Sequence, residues 1–334
     1  MPLILVTGAA GFFGSAITRA LLAAGHAVRA LVEPGDPAPG LAGLAVERAV
    51  GDVLEPSSLA AACQGCQAVV HAAGWTSMRV ARRSRLRLIN VDGTRNICQA
   101  ALAAGVPKLV YISSLGVLGG HPAPLPVNEI SPAPNAMTQR QTYHRSKIRA
   151  EGIALSFTSL GPEVCAVLPG MLWGPGDWSI SSTGLARLVL KQRRALYPPG
   201  GTALLHVDDA AQGVLLALER GQNGRRYVLA GDNLTNEQFF TMICQAAHPG
   251  LSPKPVSLGL VTITALVAEG LGRLGWDVDF SLDTRRLCGI YWWGDDSRAR
   301  KELGWSPAHS AAETIAATVA WHWEHLKDLN ANKN

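Results

Sequence analysis

The chain has 334 residues, 48% hydrophobic and 16% charged, so it can bury a large core and global disorder is excluded. Thirty basic against 25 acidic residues leave a formal charge of +5, too slight and too dispersed to mark a nucleic-acid binder. The densest cationic cluster, Arg79, Arg82, Arg83, Arg85 and Arg87, reads as a solvated helix face, with an acidic partner or ligand as the alternative. Of six cysteines only Cys63 and Cys66 form a CxxC pair. No second pair or nearby histidine completes a metal site, so the thiols fit a reducing, cytoplasmic setting. No basic segment precedes the first apolar run, and no uninterrupted run reaches about 18 apolar residues. Neither a signal peptide nor a membrane span is expected.

In chain order, residues 3–7 read as a buried strand, 8–14 as a glycine-rich turn and 15–24 as a helix stopped by Gly25. Strands follow at 27–33, 45–50, 68–72, 108–113 and 163–168, separated by helices at 56–63, 88–104 and 143–159. This alternation predicts an α/β fold, a doubly wound parallel sheet covered on both faces. After residue 168 the glycines and prolines of 169–176 and 198–201 break the rhythm. A first domain over 1–168 and a smaller, mostly helical substrate lobe over 169–330 are expected, with a segment near 200–230 returning to the core. Its helices fall at 208–220, 236–247, 255–274 and 311–329.

Gly8, Gly11 and Gly14 lie between a strand and a helix, where backbone without side chains lets a pyrophosphate approach the helix N-terminus beside Phe12 and Phe13. Glu33 ends the second strand 19 residues after Gly14, about where a carboxylate meets the adenosine ribose hydroxyls. It would repel a 2′-phosphate, and the nearest cation, Arg29, is four residues back, so NAD is favoured over NADP. Asp52, followed by Val53, reads either as a partner for the adenine amino group or as a turn and cap residue.

Tyr143 and Lys147 stand at i and i+4 on one helix face. Free tyrosine has a pKa near 10, so half-ionising it at pH 7 takes about 4 kcal/mol. A lysine ammonium beside it and a positive nicotinamide ring would supply that shift, and in reverse the phenol gives a proton to a carbonyl as hydride arrives. Ser113 and Ser114 end a strand at the sheet edge where such folds bind ligands.

Thr7–Gly14, Asp52-Val53, His71–Gly74, Asn90–Thr94, Tyr111–Ser114, Tyr143–Lys147, Pro169-Gly170 with Gly174–Gly176, His206–Asp209 and Asp296–Trp305 together resemble the extended short-chain dehydrogenase/reductases. The resemblance implies a Rossmann domain, catalysis by Ser114, Tyr143 and Lys147, and a cofactor lined by Ala72, Ala73 and Gly74. It also implies that Ser113 sits at the cofactor, that Asn90 supports the lysine, and that Pro169 and Gly170 meet the nicotinamide amide. His206 and Asp208 are expected to be structural, Asp208 as a helix cap. Relatives resembling dihydroflavonol reductases often carry arginine at the position of Glu33, so its absence supports NAD.

Within that family the segment after Ser114 carries no acid, which argues against a dehydratase. Arg187, Lys191, Arg193 and Arg194 are candidates for a sugar-nucleotide diphosphate. Trp75, Gly116, Val117, Trp173 and Trp178 are candidate substrate residues, and the apolar 255–274 helix reads as a lid, a peripheral membrane contact or plain core. The expectation is a secondary alcohol and ketone interconverted on a steroid-, flavonoid- or lipid-like molecule, as in 3β-hydroxysteroid dehydrogenase-like proteins. The alternatives are a nucleotide-sugar epimerase and a non-catalytic NAD(P) sensor. The 88–104 and 143–159 helices are the candidate surfaces for a homodimer.

Overall fold

A computed structural model describes residues 1–325 except 78, 133–135 and 279. Seven strands form one sheet in the order Arg226–Leu229, Glu163–Pro169, Lys108–Ile112, Ala68–His71, Leu3–Thr7, Ala27–Val32 and Glu47–Val50. Every neighbouring pair is parallel. Alternate side chains enter opposite layers, as the strand pleat requires. Ile4 and Val6 pack toward helices Phe12–Ala23 and Val207–Arg220, whereas Leu5 packs toward Pro56–Cys63, Gly93–Ala103 and Thr142–Ser156. This is the doubly wound Rossmann-type fold expected of the alternating pattern.

The strand order reverses at Leu3–Thr7, which has Ala27–Val32 on one side and Ala68–His71 on the other. Thr7 is level with both Leu31 and His71, so the chain leaves all three strands at one edge and opens a crevice between Gly8 and Ala72.

A second sheet pairs Gly201–His206 with Asp232–Thr235, Met171–Trp173 and Tyr291–Trp292. Helices Gly184–Gln192, Asn236–Ala247 and Ala311–Glu324 close a third core around Trp173, Phe239 and Ile315. Of the helices that differ from their sequence pattern, the expected 255–274 helix starts only at Leu258, after the strand Lys254–Pro255, and two others lie near the crevice. The first begins at Phe12 rather than 15, because Gly11 is already extended and the Ser15 hydroxyl bonds back to the Phe12 carbonyl at 3.0 Å. The expected 88–104 helix opens with a wide turn, Leu88–Asp92, where the Thr94 hydroxyl donates to the Asn90 carbonyl at 2.6 Å and competes with the regular ladder. The end of the expected 311–329 helix lies outside the described residues.

Candidate active site

The crevice is built by close approach. Gly8 sits at φ +66°, and a Cβ there would lie 2.7 Å from Ala73, so only glycine lets the turn touch the 72–74 segment. A Cβ on Gly14 would reach 1.9 Å from the Gly8 carbonyl oxygen, so the helix packs directly on the turn it follows. Gly11 caps that helix without a side-chain bond, leaving Phe12 and Phe13 among the amides aimed at the crevice.

Beneath the turn, Thr7, His71 and Thr94 form a chain. Thr7 Oγ1 lies 2.7 Å from His71 Nδ1, His71 Nε2 lies 3.0 Å from Thr94 Oγ1, and the Ala73 amide donates to Thr7 Oγ1 at 3.1 Å. Burial, with the Lys147 charge adding to it, holds His71 neutral, its pKa pushed down to about 3. Asn90 ties two sides of the site together. Its amide donates to the Trp75 carbonyl at 3.0 Å and to Ser146 Oγ at 2.9 Å, while its oxygen accepts from the Trp75 amide at 2.7 Å.

Tyr143 and Lys147 lie on Thr142–Ser156, which starts at Gln141, whose side chain accepts from the His144 amide. Ser114 lies close enough to the Tyr143 hydroxyl to favour its ionised form, and its own Oγ accepts from the Gly116 amide at 3.2 Å. Lys147 Nζ donates to the Ile112 carbonyl at 2.6 Å and stands over the Tyr111 ring at 4.7 Å. A Cβ on Gly74 would lie 3.7 Å from that ammonium, so the catalytic helix and the 72–74 segment meet at Lys147.

Burial lowers the lysine pKa to about 8, opposed by Glu151 one turn further along. Burial also raises Tyr143 to about 12, with nearby Ser114 acting in the opposite direction. The lysine charge, held on a carbonyl, does not overcome desolvation, so the protein alone presents Tyr143 as a neutral proton donor rather than a half-ionised base.

The structure separates the two serines. Ser114 faces Tyr143, whereas the Ser113 hydroxyl donates to buried Glu151 at 2.5 Å and its amide to the Val167 carbonyl. Glu33 is exposed just past its strand, and Arg29 is occupied by Glu47 at 2.7 Å and by the Ala62 and Gln64 carbonyls. Asp52 accepts from the Leu54 amide at 2.9 Å in a turn, and Val53 is buried against Gly93. Gly170 is wedged between the Ala203 and Ala230 carbonyls beyond Pro169.

Four substrate candidates are corrected. Trp173 is fully buried with its ring 4.9 Å from Phe239, Val117 is a core residue, and Trp178 packs on Trp321 and His325 of the last helix. Gly116 supports the site instead of lining it, since a Cβ there would strike the His144 ring at 2.3 Å. Trp75 stays at the crevice, half-buried between Arg82 and Arg85 at 5.5 and 5.6 Å. Asp208 is not the helix cap. His206 Nδ1 accepts from the Asp208 amide at 3.2 Å, and the Asp208 carboxylate lies 3.6 Å from Arg19.

The sequence pattern missed Trp292, whose ring lies 4.7 Å from His144, and Asp283, which accepts from the Thr142 amide at 3.2 Å. Both arrive from the C-terminal lobe, and no local spacing announces them.

Residues 4–230 match the NAD dependent epimerase/dehydratase family. The chain belongs to that family. Its chemistry is, at this level, NAD(P)-dependent oxidoreductase and epimerase chemistry on small organic substrates. Sterol demethylase protein B of Methylococcus capsulatus is 32% identical over 329 residues, 96% of this chain and 98% of that protein. The crystal structure of gox2253 superposes with TM-score 0.84 at 33% identity, covering 97% and 99% of the two chains. The dTDP-glucose 4,6-dehydratase DesIV of Streptomyces venezuelae, solved with NAD bound, gives TM-score 0.79 at 25% identity over 99% of each.

Proposed function

We propose that the protein is an NAD-dependent oxidoreductase that interconverts a secondary alcohol and a ketone on a lipophilic substrate. The observation that carries this reading is Lys147, one turn after Tyr143 on the same helix, meeting the 72–74 segment of the glycine crevice, with Ser114 near the Tyr143 hydroxyl. The bare backbone of Gly8 and Gly11 and the uncapped helix behind them fit a dinucleotide pyrophosphate, with Glu33 at the adenosine end and the 72–74 segment along one wall. Bound NAD(H) supplies the hydride. Ser114 orients the substrate oxygen, and Tyr143 gives that oxygen its proton in reduction or takes it in oxidation. Lys147 stabilises the phenolate and holds ribose hydroxyls.

Neutral His144, 5.6 Å from the Tyr143 ring and packed on Trp292, favours an apolar substrate beside the tyrosine, in keeping with the sterol-related name of a relative. Diphosphate recognition finds less support. Arg187 is buried in the lobe, and Arg193 and Arg194 lie exposed past the end of their helix.

Titration with NADH and NADPH, then a screen of alicyclic and sterol ketones beside nucleotide-sugars, tests the reading. Tyr143→Phe is expected to lower kcat by roughly 100- to 10,000-fold with NADH affinity unchanged. Full activity in that variant defeats the mechanism, tenfold tighter NADPH defeats the Glu33 reading, and turnover of nucleotide-sugars alone defeats the lipophilic substrate. The phenolate absorbance of Tyr143, taken by difference against Tyr143→Phe, should emerge near pH 12 in the protein alone. NAD⁺ should move it downward, because a positive ring beside the hydroxyl favours the charged form.

A further inference from the structure

We propose that the outward face of the Leu258–Arg273 helix, continued by Leu274 and Trp276, seats the protein on an anionic lipid bilayer. Between Lys254 and Arg273 the only charged residue is Glu269. It faces inward, 5% exposed, and Arg83 grips it with two bonds of 2.8 and 2.9 Å. Val261, Ala265, Ala268 and Gly272 complete that inner face, and Gly272 rests on Val80. A surface helix with one face filled ordinarily turns polar side chains to water. Here the outer face carries Leu260, Ile263, Leu266 and Val267 at 55–63% exposure, and Leu274 and Trp276 extend it at 78% and 65%. Single exposed apolar residues are normal, but a continuous strip marks a contact surface.

Charge selects the occupant. Arg82 and Arg85 flank Trp75 and have no carboxylate partner among the described residues, Arg273 is exposed, and Asp277 is already paired with Arg79. An apolar strip bordered by cations complements a headgroup layer, with the Trp276 ring at headgroup depth. In an isologous pair the same cations would meet without an acidic strip to answer them. Sixteen residues give a helix about 24 Å long, short of a bilayer core, so it lies in the surface plane.

Trp75 follows directly on the 72–74 segment, so the docked face borders the substrate mouth. Delivery of a membrane-dissolved substrate rests on the lipophilic reading above, but the docking does not.

Co-sedimentation of the full chain with phosphatidylcholine vesicles, with and without phosphatidylglycerol, reads the docking without turnover. The two proposals can therefore fail separately. Binding is expected on the anionic vesicles, weakened by salt. Ile263→Asp/Val267→Asp should weaken it at least tenfold while melting and NADH affinity stay unchanged. Arg82→Ala and Arg85→Ala should each weaken it about fivefold. The proposal is overturned by absent binding to anionic vesicles, by binding that the aspartate pair leaves intact, or by a lipid-free dimer that the aspartate pair dissociates.

Discussion

At the crevice the constraints are steric and local, whereas in the 258–285 segment they are ionic and long-range. Gly8 and Ala73 can approach only because a side chain is missing, and the turn, strand and helix that need this are neighbours in sequence. The 258–285 segment is placed by Arg83, which holds Glu269 across 186 positions and Asp283 across 200. Asp283 is 1% exposed and also accepts from the Thr142 amide at the start of the catalytic helix. The cofactor end is therefore a rigid consequence of backbone geometry. The 258–285 segment is tied to the catalytic helix by charge.

The steric side is tested by Gly8→Val, the change with the largest expected effect. A β-branched residue at φ +66° is strained, and its Cβ would press on the Ala73 backbone. NADH affinity should fall about 100-fold or more, roughly 3 kcal/mol, in a fluorescence titration. Gly25→Val separates strain from contact. Gly25 is also at positive φ, +84°, but nothing lies within 4 Å of its would-be Cβ. Stability should drop by about 1–2 kcal/mol with NADH affinity unchanged. Equal loss of affinity in both variants would show that the close approach at Ala73 is unimportant.

The same division explains what could be read without coordinates. The close approach at the glycine turn and the placement of Tyr143 and Lys147 one turn apart were legible because each depends on spacing within one element or two adjacent ones. The sheet was legible because buried parallel strands are short apolar runs between helices. Trp173 misled because a tryptophan beside a glycine-rich break looks the same whether it faces a substrate or Phe239. The arginine run was read as solvated, yet Arg79 and Arg83 are paired, with carboxylates some 200 residues away. Tyr143 was expected to be acidified by the lysine and a nicotinamide ring together; in the protein alone burial, a three-dimensional quantity, raises it instead.

Arg83→Met tests the ionic side. It leaves buried Glu269 and Asp283 with Arg273 at 3.4 Å and Arg286 at 2.7 Å as their remaining cations among the described residues. A loss of about 3 kcal/mol in urea unfolding is expected, because removing one partner strands the other charges. Turnover should fall as well, through the Asp283 bond to Thr142. Adding Glu269→Met should restore more than half of the stability, since a pair replaced by apolar groups costs little. If the double variant is no better than the single one, the pairing is not what places the segment.

The smallest effect lies where the two regions join. His206 is 5% exposed, stacks on the His309 ring at 4.0 Å and caps Val207–Arg220 by accepting from the Asp208 amide. His309 is bonded to Asp209 at 2.9 Å, so one cap serves the core helix and the C-terminal segment together. His206→Ala should cost about 1 kcal/mol and Asp208→Ala less than about 0.5, the reverse of the order that a capping aspartate implies. Burial and then the His309 charge lower the His206 pKa from its ordinary 6.5. The unfolded chain therefore binds this proton first, and the contribution of His206 is present above pH 6.5 and lost as the pH falls below it. Protonation also removes the Nδ1 lone pair that accepts from the Asp208 amide. In unfolding measured across that range, wild type should lose its advantage over His206→Ala, whereas Asp208→Ala, which removes a carboxylate 3.9 Å from His206 Nδ1 that favours its protonation, should lose stability at least as steeply as wild type.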